Sequence, residues 1–154
     1  MYFVIVVAFA VVAPIGAALW EAQSAAGADI LALFGKWTAF FGVGVRLFMA
    51  GVSQAFRPDY TLNEIFGVDA PDVRPVVQEL GFANLSMGVL GLLALIHPML
   101  TLAAATVGAI FYGLAGARHL PGARGNAKRL AAAGTDIWVF IVLAAYVAAR
   151  LGGG

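Results

Sequence analysis

Between its few charges, the chain runs five times through stretches of largely apolar residues: 2–20, 30–56, 76–97, 98–119 and 130–150. Each is about as long as a helix must be to cross roughly 30 Å of hydrocarbon. The runs are too long for strands and lack the polar–apolar alternation of a barrel. Helices then remain as the way to satisfy every backbone hydrogen bond in lipid. The expected fold class is therefore all-α: a polytopic transmembrane helix bundle of five spans, one domain over residues 1–154. Composition agrees, with 62% hydrophobic and only 11% charged residues. That is too little polar surface to clothe a small soluble domain. Nine basic and eight acidic residues nearly cancel, so no basic field serves nucleic acid. The chain has no cysteine, which excludes disulfides, thiolate metal sites and cysteine nucleophiles.

The first run is N-terminal, and Ala22-Gln23-Ser24-Ala25 offers small residues such as a signal peptidase prefers. No Lys or Arg precedes it, however, and it is long for a signal core. A retained helix is the expectation, bent at Pro14.

Basic residues mark the cytoplasmic side. Arg118, Arg124, Lys128 and Arg129 flank the connection between spans four and five, and Arg57 and Arg74 that between spans two and three. The connection after span one holds Glu21 and Asp29, and His97-Pro98 carries the turn between spans three and four. This pattern predicts a cytoplasmic N-terminus. Trp20, Trp37 and Tyr146 then fall near the outer interface, and Tyr2, Phe56 and Tyr60 near the inner one, as an aromatic belt would.

In the longest connection, Thr61-Leu62-Asn63-Glu64 has the pattern of a capping box. A short interfacial helix is expected from it, with Ile65 and Phe66 dipping into the headgroups, a stop at Gly67, and Pro75 in the first turn of span three. The basic connection 121–129 is expected to act as a topology determinant, with contact to anionic lipid as the alternative reading.

Helices in lipid associate through small residues and polar contacts. Span four offers Ala105, Ala109, Gly113 and Ala117; span two Ala39, Gly42, Arg46, Ala50 and Ser53; span three Ala83, Asn84, Gly88 and Gly91. These faces predict a tight bundle of spans two to five.

A charge near the bilayer centre costs at least about 2.5 kcal/mol on insertion scales. Arg46 lies about 15 Å deep from the inner end of span two and Asp136 about 9 Å deep on span five. Arg46 is expected to be neutralised by Asp136 or Glu79, with Asn84 supplying a hydrogen bond, because an unpaired buried charge is costly. This cluster either fixes helix order or serves as a ligand or proton site. Lys36, nearer the outer end, is a secondary candidate able to extend its ammonium toward water. His97 and His119 stand about 32 Å apart at opposite ends of span four. They cannot share a metal or haem, and each is expected to be an interface residue. No zincin, EF-hand or P-loop motif and no nucleophile elbow occurs. Catalysis is therefore not expected, although Asp136 or Glu79 could act as a base.

Gly44-Val45-Arg46-Leu47 with Gly51 and Gln54, then Glu79-Leu80-Gly81, resemble the first two helices of the DoxX-like family of bacterial four-helix membrane bundles. Gly35-Lys36-Trp37, Glu64-Ile65-Phe66-Gly67, the stretch from Glu79 to Gly88 and that from Phe111 to Gly116 look like an uncharacterised bacterial membrane-protein family related to it in shape. The resemblance implies a bundle of spans two to five with an extra N-terminal helix, placed in a bacterial inner membrane. It further implies an accessory subunit of quinone-linked enzymes, with quinone as the one candidate cofactor. Gln54-Ala55 stands where DoxX-like proteins often carry a basic residue. The alternative is a small oligomeric transporter or channel with a polar path through Arg46, Asn84 and Asp136. Expected partners are the lipid bilayer and either a second copy of the chain or a larger membrane complex.

Overall fold

The computed structural model describes residues 2–24, 27–122 and 127–153. Among them every regular element is helical. Five helices are long and apolar enough to cross a membrane: Val4–Ser24, Ile30–Phe56, Pro71–Ile96, Pro98–His119 and Leu130–Gly152. The chain is thus a multi-pass membrane protein with an all-α fold. The first span runs on past Trp20, and the third starts earlier than its apolar run, with a 3₁₀ turn at Pro71–Val73 leading into the helix Arg74–Ile96. Pro75 sits in that helix's first turn, where a missing amide hydrogen costs nothing. Asp29 caps the second span by accepting the Ala32 amide hydrogen at 3.0 Å.

The second span is the hub and touches all four others. All five spans feed one core. It comprises Ala10 of the first, Ala39, Val43 and Leu47 of the second, Ala94 of the third, Ala104, Ala105, Ala109 and Tyr112 of the fourth, and Val139, Leu143 and Tyr146 of the fifth. The first span is therefore built into the bundle, against spans two and five.

Spans two and three meet backbone to backbone. A methyl group added to Gly88 would lie 2.5 Å from the Phe48 amide nitrogen, and one on Gly51 2.6 Å from that of Leu85. One on Gly81 would lie 2.6 Å from the Ala55 nitrogen, and one on Gly91 2.6 Å from the Gly44 Cα. Glycine is required at this seam because the close approach supplies the dispersion contacts that lipid cannot improve on.

The small-residue stripes hold only in part. On span four Ala105 and Ala109 are buried, Gly113 is half-buried and Ala117 is exposed; the buried line instead follows Thr101, Ala105, Gly108, Tyr112 and Gly116. A strict four-residue spacing drifts about 40° around the helix at each step, so a long stripe leaves the packed face. On span three Asn84, Gly88 and Gly91 are buried but Ala83 is exposed.

The capping box does not form. A helix begins at Pro58 and continues as a π-helical stretch over Thr61–Phe66, so Thr61 lies inside it with no side-chain cap bond. Pro58, with its φ already helical, starts the helix three residues early. The stop at Gly67 is present, with φ of 66° in the left-handed region. The side chains of Ile65, Phe66 and Tyr2, expected at the headgroups, lie outside the described residues, as do those of Arg124, Lys128 and Arg129. Trp20, Phe56 and Tyr60 are exposed, as anchors are, whereas Tyr146 is buried.

Two further π-helical stretches, Ala8–Val12 and Ala39–Leu47, pack against each other. Phe9 and Phe41 stack across them with ring centroids 6.2 Å apart. π turns widen a helix locally and are found mostly at functional sites.

Candidate intramembrane polar site

Arg46 belongs to the longer π stretch and points toward spans four and five. Its Nη2 donates to Asp136 Oδ1 at 2.7 Å. The other carboxylate oxygen, Oδ2, lies 3.0 Å from His119 Nδ1. The side chains are 15%, 3% and 43% exposed for Arg46, Asp136 and His119, so the cluster grades from buried to open along these three residues. The Tyr112 ring, itself buried, lies 5.0 Å from the Arg46 guanidinium carbon, a distance at which a cation is attracted to the ring face. The Tyr112 hydroxyl donates to the Gly42 carbonyl, one turn before Arg46. The bond satisfies a buried hydroxyl on a backbone carbonyl inside the π-helical stretch and ties span four to span two.

Each residue is placed by its backbone. Gly116 lies against Asp136 and Ile137, where an added methyl would stand 3.0 Å from Ile137 Cγ1 and 3.5 Å from the Asp136 Cβ, so span four passes close to span five beside the carboxylate. Gly42 likewise faces Val139 on span five. A permanent cation, a carboxylate and an imidazole in series have the chemistry to hold an anionic or carbonyl-bearing group and to exchange protons through the last two members.

The structure brings together only two of the four residues expected in this cluster. Glu79 is exposed on span three and has no ion pair among the described residues. Asn84 is buried, but its Nδ2 donates to Gln54 Oε1 at 2.7 Å across the glycine seam. Its Oδ1 has no hydrogen-bond partner. Both side chains follow span three, which packs on the face of span two that carries Gly44 and Gly51, away from Asp136. Lys36 does not extend alone to water. Its Nζ lies 2.8 Å from both Glu21 carboxylate oxygens, and Trp37 Nε1 donates to the same carboxylate at 2.7 Å. This second cluster ties the first span to the second at the opposite end of the bundle, beside the Arg150–Asp29 pair at 2.9 Å.

Sequence reasoning missed His119, Tyr112 and Gln54 as partners. His119 carried only a partial signal: spans four and five are consecutive and antiparallel, so their joined ends lie together, but the contact with Asp136 depends on the packing. Tyr112 stands two turns before it on the same face.

The model of a family of unknown function, DUF6790, matches residues 1–151. The chain belongs to that family, whose match includes the first span. No curated protein and no solved structure gives a significant match.

Proposed function

We propose that this family member is a non-catalytic accessory subunit of a quinone-linked membrane complex, and that Arg46, Asp136 and His119 receive a quinone-like head group. The observation that carries this reading is the graded series itself: a half-exposed imidazole on a buried carboxylate that neutralises a nearly buried guanidinium. A guanidinium donates to a carbonyl or stabilises an anionic oxygen, and the imidazole and carboxylate exchange its protons. Ionisable residues at membrane depth are rare and costly, which makes each a functional-site hypothesis by default. The basic residues beside the His119 end support a cytoplasmic orientation for that end and for the N-terminus. Bacterial inner membrane and kinship in shape to DoxX-like bundles belong to the same reading. A transport path through Arg46, Asn84 and Asp136 draws less support, because Asn84 is bonded to Gln54 at a different seam.

The test is chemical. Protein purified from native membranes in mild detergent is extracted, and its quinones are quantified by mass spectrometry. The expected result is quinone near one per chain in wild type and a loss of about tenfold in Arg46→Gln, the size of one lost charge-assisted bond. Equal quinone in both, or none in either, contradicts the reading.

A further inference from the structure

The geometry points to His119 as the proton port of the Arg46–Asp136 site, the group among the described residues through which Asp136 exchanges protons with water. The inference deepens the reading above and rests on it for purpose, but its geometry stands on separate observations.

Among the described residues, the charged and titratable groups facing Asp136 are Arg46 from span two and His119 from span four. Arg46 keeps its proton at every accessible pH, so it neutralises but does not relay. Tyr112 meets Arg46 through its ring face and gives its hydroxyl hydrogen to Gly42. That leaves the imidazole as the partner able to pass a proton on.

The opposite direction is closed. One turn before Gly42, Thr38 is fully buried. One turn further, Gly35 lies directly under the Tyr146 ring. Among the described residues the site is therefore packed shut toward the Arg150 end and open at His119, whose side chain is 43% exposed.

The step is a balanced proton transfer. Water at the open end gives a proton to His119 Nε2. The Nδ1–H proton passes to Asp136 Oδ2, leaving a neutral imidazole and a neutral carboxylic acid beside the Arg46 cation. The reverse sequence returns the proton, and no electron moves.

Full-length protein in lipid nanodiscs, open to water on both faces, is studied by time-resolved infrared spectroscopy after a light-triggered proton release. The wild type minus Asp136→Asn difference isolates the carboxyl band of Asp136. The expected result is fast protonation in wild type and at least about tenfold slower protonation in His119→Phe. His119→Gln, which still donates to the carboxylate but cannot carry a proton, is expected to be slowed alike, so a folding defect in the first variant does not decide the outcome. Undiminished rates in a folded variant, or no Asp136 protonation in wild type, overturn the proposal. Quinone content is measured on the same samples. A His119-dependent rate without bound quinone contradicts the head-group reading alone, and bound quinone with a His119-independent rate contradicts the port alone.

Discussion

The second span has two working faces, and they solve opposite problems. Toward span three it presents Gly44, Gly51 and Ala55, where the two backbones come into direct contact. Toward spans four and five it presents Thr38, Gly42 and Arg46, and its neighbours answer with Tyr112 and Asp136. The glycine seam gains close packing and carries neutral hydrogen bonds, such as Asn84 to Gln54, but no ion pair among the described residues. The polar seam holds a charge pair that apolar residues of similar volume could replace without loss of stability.

The contrast breaks first at Asp136. Asp136→Ala strands the Arg46 cation, and about 3–5 kcal/mol of stability should disappear, read as a fall in the thermal aggregation midpoint in detergent. An unchanged midpoint would mean that Arg46 is already neutralised elsewhere. Gly88→Ala forces the seam with span three apart, because its methyl has no room beside Phe48. A loss of about 1–3 kcal/mol is expected, seen as a lower midpoint with quinone content per folded chain unchanged. Tyr112→Phe keeps the ring over Arg46 but deprives the Gly42 carbonyl of its donor. It should cost about 1 kcal/mol and speed amide hydrogen exchange within Ala39–Leu47, measured by mass spectrometry. The smallest effect belongs to Lys36→Met, whose partner Glu21 is about as open as Lys36 itself. A change within about 1 kcal/mol is expected; a larger one would make the first span's tether as important as the core.

The two seams also differ in how far sequence foretold them. Five spans follow from run length, and the pairing of Arg46 with a carboxylate, Asp136 or Glu79, follows from the cost of a lone charge at depth; the structure selects Asp136. The glycines were visible as small residues, but which face each occupied depended on drift around the helix, hence the outward turn of Ala117 and Ala83. Asn84 was assigned to the wrong partner because its depth fits both seams while its helix face fits one. His119 was passed over because a histidine at a helix end is ordinarily an interface residue, and only the packing of spans four and five sets it over Asp136. The π stretches have no readable periodicity, so the register that aims Arg46 and exposes the Gly42 carbonyl to Tyr112 came from the structure alone. In the connection, Pro58 outweighed the capping pattern at Thr61.

The central claim is that the polar seam exists for a ligand rather than for the fold. Replacing both charges at once, as Arg46→Met with Asp136→Leu, measures it most directly, because no buried charge is left stranded. The account predicts a folded, monodisperse protein with a thermal midpoint near wild type and no co-purifying quinone. A double variant that retains wild-type quinone would contradict it, and so would one that fails to fold while Gly88→Ala folds.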